Sequence, residues 1–423
     1  MFFMFQLTRA PSLRAAFYPG IVIGLLLMAP QLWFFWNLFG SPAAVLWLIK
    51  ALWIAAFLFL SHLCITLCRR GFAVVMVACL WTALEYTRSE LYILKFSWLI
   101  PGYALSHSPD NVALQFFGMY GIAFWLILLV GILALHSVKR AMLAGCIALI
   151  LFGVLTCLPE SKSPSKSNGP LFVGIQLESP QVHEVIEHLN KALEKHPQAD
   201  LLVLSEYTFM REIPAEVIAW CQEKKRFLIL GAVDYLPTGK KEYFNTAFVI
   251  SPKGQIVFKQ AKSVPVQLFR DGLPATSQNL WNSPWGKIGI CICYDLSYTR
   301  VTDELVRMGA QAIIVPTMDA ASWGEQEHVL HARVAPIRAA EYGIPIFRVA
   351  SSGISQAVNK DGIILDSAPF PGQGEMIASH LRIKTAGTIP IDRYLVYVAL
   401  CLGTIWILIL PWLLLKNRKA NQI

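Results

Sequence analysis

In the stretch "WGKIGICICYDLSY", residues 285–298, two cysteines stand two apart at the end of an apolar run, just before an acidic residue. "KIGICICY" reads as a buried strand, followed by a turn and a helix that begins near Thr299. A thiol at such a turn faces a helix N-terminus, which favours the nucleophilic thiolate. Side chains repeat every two residues along a strand, so Cys291 and Cys293 share a side and Cys293 lies nearer the turn. Cys293 is the better candidate nucleophile. The plainer alternative makes both thiols small buried hydrophobes.

Two further signals lie upstream. "DLLVLSEYTF" ends a buried strand at Glu206. A carboxylate emerging from apolar surroundings has a raised pKa and suits a general base. "GQIVFKQAKSVPV" offers Lys259 and Lys262 after a hairpin-like strand, either of which suits an oxyanion. Taken singly, a strand-end carboxylate and solvated loop charges explain these residues as well.

The elements that carry them follow from patterning. From about residue 171 short β-rich runs appear, "LFVGIQL", "DLLVLSE", "FLILGAVDY", "YFNTAFVIS", "KIGICICYD", "AQAIIVPTM" and "IPIFRVASS". Helical patterns at 182–196, 214–225, 299–309 and 326–342 separate several of them. Alternating strands and helices predict an α/β domain of sheets covered by helices. There is no internal repeat, and "PESKSPSKSNGP" is a polar, breaker-rich linker at its start.

The remainder is apolar. The chain is 55% hydrophobic with only 15% charged residues, against about 25% in soluble domains. Apolar stretches at roughly 17–39, 44–68, 71–88, 112–137, 141–157 and 394–415 predict six membrane spans, the third and fifth at the short limit. No small-residue cleavage site follows the first, which reads as a retained span. Arg9 and Arg14, Arg69 and Arg70, Lys139 and Arg140, and Lys416, Arg418 and Lys419 fall on alternate loops. That asymmetry predicts cytoplasmic termini and a polar middle, about 160–390, on the outer face. The net charge of +9 is thereby read as loop asymmetry; no basic run with interleaved aromatics points to nucleic acid. The nine cysteines form neither a disulfide framework nor a metal-binding pattern, and an i, i+2 bridge would be strained.

The order of the chemical signals carries more than each alone. Glu at a strand end, Lys after a strand and Cys at a strand–helix turn resemble the nitrilase superfamily, the carbon-nitrogen hydrolases, which use a Glu–Lys–Cys triad for acyl transfer. "YFNTAFVISPKGQI" is similar to that family's Asn-bearing hairpin, and "CYDLSYTRVTDELVRMGAQAIIVPTMDAASWG" to its segment from nucleophile to next strand. "EHVLHARVAPIRAAEYGIPIFRVASSGISQAVNKDG" is similar to its closing helix, strand and hairpin, so the resemblance covers 171–366. "WTALEYTRSELYILKFSWLIPGYALS…LQFFGMYGIAFWLILL", 81–129, is similar to the membrane domain of the apolipoprotein N-acyltransferase branch. That branch usually has eight spans; losing the first hairpin would leave the sidedness intact.

This resemblance implies an α-helical transmembrane bundle plus an α/β nitrilase-like domain, an αββα sandwich. Residues 1–158 form the transmembrane domain of about five helices, 168–385 an extracytoplasmic catalytic domain, and 393–416 a C-terminal transmembrane helix. Glu206 is the base, Lys262 the oxyanion-binding and orienting cation, and Cys293 the nucleophile. Counting nine residues from Gly254 selects Lys262, with Lys259 next. Counting back from Pro265 selects Gln260, which is neutral and does not balance a carboxylate–thiolate pair. The family's "xHLVPFGE" is shortened to "SVPVQ", so its glutamate after the proline is missing and Gln267 is the nearest polar substitute. Tyr294, Trp323, Phe269 and Gln267 are the implied substrate-binding residues, and Tyr294 and Asp295 stand where the family has Tyr-Glu. Trp281 and Trp285 join the aromatics expected to line or lid the entrance.

The implied reaction passes an acyl chain from a phospholipid through a Cys293 thioester to the amine of a diacylglyceryl-cysteine on an apolipoprotein, with no cofactor and no metal. The implied setting is a multi-pass monomer in a bacterial inner membrane, catalytic side periplasmic. A membrane-anchored amidase, or an inactive lipid-binding relative, shares the same residues. Glu85 and Arg88, one helical turn apart, are expected to pair. His328 and His331 lie at i, i+3 with no third ligand in view, and Arg333, Arg338 and Glu341 resemble structural ion-pairing positions.

Overall fold

The computed structural model describes residues 9–106, 112–135, 169–237 and 242–420. It divides into two units, Met1–Gly102 with Val112–Leu158 and Pro390–Ile423, and Tyr103–Asn111 with Pro159–Ile389.

The first unit is helical: α1 (Leu13–Gln31), α2 (Phe34–Phe39), α3 (Ala43–Leu67), α4 (Arg70–Tyr86), α5 (Val112–Leu135) and α11 (Asp392–Ala420). Among the described residues, Leu13–Gln31, Ala43–Leu67, Ala113–Ala134 and Asp392–Leu415 are long and apolar enough to cross a membrane. The stretch predicted as one span at 17–39 is split into α1 and the short α2. α4 has 17 residues and most of them are buried against neighbouring helices. The span predicted at 141–157 lies outside the described residues. α1 presents Gly20 and Gly24, four apart, to Ala55 and Ala51 of α3; a Cβ on Gly24 would stand 2.6 Å from the Ala51 Cα. Small residues at that spacing let two apolar helices pack by close backbone approach. Gly118 breaks α5 at φ +66, and Asp392 Oδ2 accepts the Tyr120 N–H just beyond the break at 3.0 Å. Glu85 and Arg88 pair at 3.8 Å.

The second unit holds two six-stranded sheets. Its strands are β1 (Leu171–Ile175), β2 (Leu201–Val203), β3 (Phe227–Tyr235), β4 (Tyr243–Ile250), β5 (Ile256–Ala261), β6 (Leu280–Ser283), β7 (Gly286–Ile290), β8 (Ala312–Thr317), β9 (Ile346–Ala350), β10 (Ser355–Val358), β11 (Ile364–Ala368) and β12 (Met376–His380). One sheet runs β12-β1-β2-β3-β4-β5, the other β11-β10-β9-β8-β7-β6. Each has a parallel centre, β1-β2-β3 or β7-β8-β9, flanked by antiparallel strands. Parallel centres need cover on both faces, and β8, AIIVPT, is accordingly apolar and buried throughout. The inner faces meet closely: a Cβ on Gly174 of β1 would stand 2.6 Å from Val349 of β9.

Helices α6 (Val182–Lys195) and α7 (Ala215–Lys224) cover the first sheet, burying Val185, Leu189, Val217 and Trp220 against Val173, Leu202 and Leu228. α8 (Thr299–Arg307), α9 (Glu325–Ala332) and α10 (Val334–Tyr342) belong to the second. The layers are therefore αββα. The helix predicted over 326–342 is two helices joined at Arg333. Pro336 explains the break, because it lacks an N–H and its ring would clash with the carbonyl four residues earlier.

Trp281 and Trp285 do not lid an entrance. Trp281 is buried, and both rings pack with Phe227, while Trp285 also meets Phe172. Trp281 lies in β6 opposite Ile288 and Trp285 in the turn before β7, both turned onto Phe227. Arg338 of α10 is fully buried. It donates to Leu296 O at 3.2 Å and Ser297 O at 2.8 Å and pairs with Glu341 at 2.5 Å. Arg338→Met strands the Glu341 carboxylate and two carbonyls, so it is expected to destabilise the folded unit by about 3–5 kcal/mol. Thermal denaturation of the purified full chain measures this; an unchanged midpoint would refute that role.

Candidate active site

Glu206 is positioned by backbone pairing beyond the end of β2. Leu204 N–H donates to Ile229 O at 2.8 Å, Gly231 N–H to Ser205 O at 3.0 Å, and Phe209 N–H to Gly231 O at 3.2 Å. The segment is thus laid along β3 on both sides of Glu206. Gly231 is required there, since a Cβ would stand 2.6 Å from the Glu206 Cα. Tyr207, next in the chain, takes φ 49, a left-handed conformation that costs a non-glycine residue about 1–2 kcal/mol.

Lys262 follows β5 directly, its N–H donating to Asn245 O at 2.8 Å. Its Nζ lies 2.8 Å from Glu206 Oε1 and 2.7 Å from Asp271 Oδ2, and the three side chains are almost wholly buried. Asn245 of β4 donates to Glu206 Oε1 at 2.5 Å and to Asp271 Oδ1 at 2.9 Å. Lys259 points elsewhere, pairing with Asp234 at 2.6 Å on the surface. Gln260 is also turned away, donating to Ala261 O and Ser277 O.

Asp271 corrects the expectation at Gln267. The loop after β5 runs over residues 262–279 and folds back so that Asp271 accepts Val266 N–H at 2.8 Å and Tyr207 OH at 3.0 Å while meeting Lys262. The second carboxylate on the lysine therefore comes from four residues further on. The readable signal was that Asp271 is the first acidic residue after Lys262.

Cys293 opens a 3₁₀ turn, Cys293–Ser297, and takes φ 52. β7 stops at Ile290, so strand alternation does not reach the two thiols. Cys291 lies in the field of Asp295 and Arg338, Cys293 in that of Glu206 and Lys262. Cys293 Sγ donates to Met318 O at 3.7 Å, and Met318 N–H donates to Glu206 Oε2 at 2.7 Å. The backbone of one residue, Met318, thus touches both sulfur and carboxylate through its two flanking peptides. Asp295 anchors the turn: it accepts Val264 N–H at 2.7 Å, Ser263 N–H at 3.1 Å and Ile292 N–H at 3.2 Å, tying it to the segment after Lys262.

Of the other expected residues, Tyr294 is buried and packs edge-on against Tyr298 at 4.9 Å. Phe269 is 41% exposed and its ring lies 6.1 Å from that of the partly exposed Trp323. Leu268 and Met210 beside these segments are exposed too.

The charges set the protonation states. Burial pushes the Glu206 carboxyl up, against the pull of Lys262. Burial alone would discharge Lys262, but Glu206 and Asp271 outweigh it and hold the ammonium well above its ordinary value. Burial pushes the Cys293 thiol well up, and Glu206 adds to this. The expectation that the turn favours a resting thiolate is thereby overturned: two carboxylates against one ammonium leave a negative field, so the resting sulfur is a thiol and needs a base. Burial lifts Asp295 to about 6.

A second buried cluster was not foreseen. Asp319, just past β8, meets His331 Nδ1 at 2.8 Å and pairs with Arg348 of β9. Glu327 lies 2.9 Å from His328 Nδ1 and 3.7 Å from His331 Nδ1. The third partner that the histidines lacked in sequence is thus Asp319. Its signal was the same as that of Glu206, a carboxylate where a buried strand stops.

The fold and site define a two-sheet α/β domain with a buried carboxylate–ammonium–thiol centre. The carbon-nitrogen hydrolase family profile matches residues 175–387, half of the chain, and the chain belongs to that family. The profile of the apolipoprotein N-acyltransferase N-terminal domain matches residues 1–133. An apolipoprotein N-acyltransferase of Geobacter metallireducens is 23% identical over 339 residues, 69% of this chain and 65% of that protein. One from Rhizobium rhizogenes is 31% identical over 179 residues, 35% of this chain and 32% of that protein. A formamidase of Bacillus cereus is 27% identical over 158 residues, 32% of this chain and 46% of that protein. In each, the match spans less than two thirds of the relative's length. The solved structure of Saccharomyces cerevisiae Nit3, of the nitrilase superfamily, is similar at TM-score 0.43 and 20% identity, covering 52% of this chain and 93% of that one.

The field at the sulfur yields a signed prediction. Asp271→Asn removes a negative charge that raises the Cys293 thiol, so iodoacetamide labelling of Cys293 is expected to speed up at fixed pH and its pH–rate profile to move to lower pH. Lys262→Met is expected to move it to higher pH. Mass spectrometry of the Cys293 peptide measures both; shifts of opposite sign would show that these charges do not set the thiol.

Proposed function

We propose that this chain transfers an acyl chain from a phospholipid to the N-terminal amine of a diacylglyceryl-cysteine on lipoproteins, through a thioester on Cys293. The observation that carries this reading is the buried Glu206–Lys262 pair next to Cys293, in a chain whose apolar first 133 residues match the acyltransferase N-terminal domain. The formamidase match covers only 32% of the chain, and an amidase reading leaves the apolar helices without a task beyond anchoring.

In the first half-reaction Glu206 takes the Sγ proton as sulfur attacks the ester carbonyl. The C–S bond forms, the C–O bond breaks, and Glu206 returns the proton to the lysophospholipid alkoxide. In the second, the amine attacks the thioester, the C–N bond forms, the C–S bond breaks and a proton returns to sulfur. Lys262 balances the carboxylate and the developing oxyanion. A raised carboxyl pKa suits Glu206 to both directions of transfer. The exposed apolar side chains Met210, Leu268 and Phe269 lie within a few residues of Glu206, Lys262 and Asp271 in the chain, and with Trp323 they suit contact with an acyl chain. Tyr294, packed behind the turn, supports its geometry.

The same reading takes residues 1–158 as a transmembrane part, 168–385 as a catalytic domain outside the bacterial inner membrane, and 393–416 as the last span of a monomer with cytoplasmic termini. The alternating basic loops support that sidedness.

Complementation of cells depleted of their own N-acyltransferase tests the proposal. The wild-type chain is expected to rescue and Cys293→Ala to fail; rescue by the alanine variant excludes the mechanism. Lys262→Met is expected to lower transfer at least about 100-fold. Lys259→Ala removes only an exposed pair worth about 0–1 kcal/mol and is expected to leave activity near wild type.

A further inference from the structure

His331 has no part in the reaction as written, yet it stands beside the sulfur. Cys293 Sγ, a carboxylate oxygen of Asp319 and a ring nitrogen of His331 all lie within 4.8 Å of one another, and all three residues are buried. Topology brings them together. β7 and β8 are parallel neighbours, so Cys293 and Asp319, each past the end of its strand, emerge at the same edge.

The groups around His331 fix its form. Asp319 faces it from the end of β8, Glu327 and His328 from its own helix α9, Arg348 from β9, Cys293 from the 3₁₀ turn and Lys262 from the end of β5. Burial would raise the Asp319 carboxyl, but Arg348 and His331 hold it well below its ordinary range, so it is ionised. An ionised Asp319 accepts the Nδ1–H at 2.8 Å, which leaves the basic lone pair on Nε2. Burial depresses the His331 pKa, with Arg348 and Lys262 opposing the pull of Asp319. The ring is therefore neutral at neutral pH, a weak base that takes a proton only in passing and releases it readily. A metal ion at this trio would have to compete with Arg348 for Asp319 and sit near the Lys262 ammonium, so the cluster suits protons better.

Proton counting in the second half-reaction leaves a vacancy that such a group fills. A lipoprotein α-amine, with an ordinary pKa of about 7.7–8.0, is mostly ammonium at pH 7. Turning an ammonium and a thioester into an amide and a thiol releases one proton net. Two protons leave nitrogen: one ends on sulfur, and the other needs a second acceptor. Glu206 carries one.

We propose that His331, oriented by Asp319, is the second proton acceptor of the transfer half-reaction, taking the first proton from the acceptor's ammonium group. The amine nitrogen then attacks the thioester carbon, the C–S bond breaks, Glu206 passes the second proton to Sγ, and the imidazolium releases its proton to solvent. This rests on the thioester reading above.

The experiment separates the half-reactions in the full-length protein. Acyl-enzyme is formed with a phospholipid donor and read by the mass of the Cys293 peptide, then chased with a diacylglyceryl-cysteine peptide across a pH series. His331→Asn retains a donor for Asp319 and lacks the base. It is expected to form thioester at near the wild-type rate and to transfer at least about 100-fold more slowly at pH 6.5. Its transfer rate is expected to climb about tenfold per pH unit, following the free amine, until the amine is deprotonated. Hydroxylamine, already neutral at pH 7, is expected to discharge wild-type and variant thioesters at similar rates, a result that a merely structural role of His331 does not give. Transfer by His331→Asn with wild-type rate and pH profile overturns the inference, as does failure of that variant to form thioester. Absence of thioester in the wild-type chain overturns instead the reading beneath it.

Discussion

One ammonium group held between two carboxylates, away from water, is the constraint on which the site depends. Lys262 Nζ is 2.8 Å from Glu206 and 2.7 Å from Asp271, with both contacts nearly free of solvent. At an effective dielectric of about 20 each contact is worth roughly 6 kcal/mol of attraction. Desolvating the three charges takes back several kcal/mol apiece. The arrangement thus adds little net stability, yet Lys262 is indispensable to it, because its removal leaves two buried carboxylates uncompensated. Asn245 completes it by donating to both carboxylates at once.

That balance also sets the state of the neighbouring sulfur. Burial first, and then the excess of two acids over one base, keeps Cys293 as a thiol. The centre therefore holds a base linked, through the backbone of Met318, to a protonated nucleophile. The backbone is bent to achieve this. Cys293 and the residue after Glu206 both adopt positive φ, conformations that persist only where the surroundings over-determine them. The surroundings here are the β3 pairing of the Glu206 segment, the Asp295 anchor and the Arg338 donors beneath the turn.

The two sheets serve this centre in a parallel way. In each, a carboxylate leaves the end of a central parallel strand, Glu206 after β2 and Asp319 after β8. Each is neutralised by a cation from elsewhere in the fold, Lys262 or Arg348. The sulfur lies in the field of both acids. The first unit follows a different physics, with close glycine–alanine contacts between α1 and α3 and an aspartate closing the broken backbone of α5.

Much of this was legible in the residues. Period-two and apolar runs predict the strands, and the spacing of Gly254 and Lys262 selects the lysine that meets Glu206. Strand-end position picks out Glu206 and Cys293. Local pattern misjudged what depends on distant neighbours. It put the second carboxylate at Gln267, because loop length alone does not say that the chain folds back to Asp271. It gave Trp281 and Trp285 to an entrance, although both rings pack on Phe227. It favoured a resting thiolate from the helix end, where burial dominates and Glu206, Asp319 and Asp271 add to it. Sequence determines which residues end a strand and which stretches are too apolar to remain in water, since those are properties of neighbours in the chain. Only the tertiary structure decides which charges share a pocket and hence which group holds the proton, because electrostatics depends on separation in space and on excluded water, and neither is written along the chain.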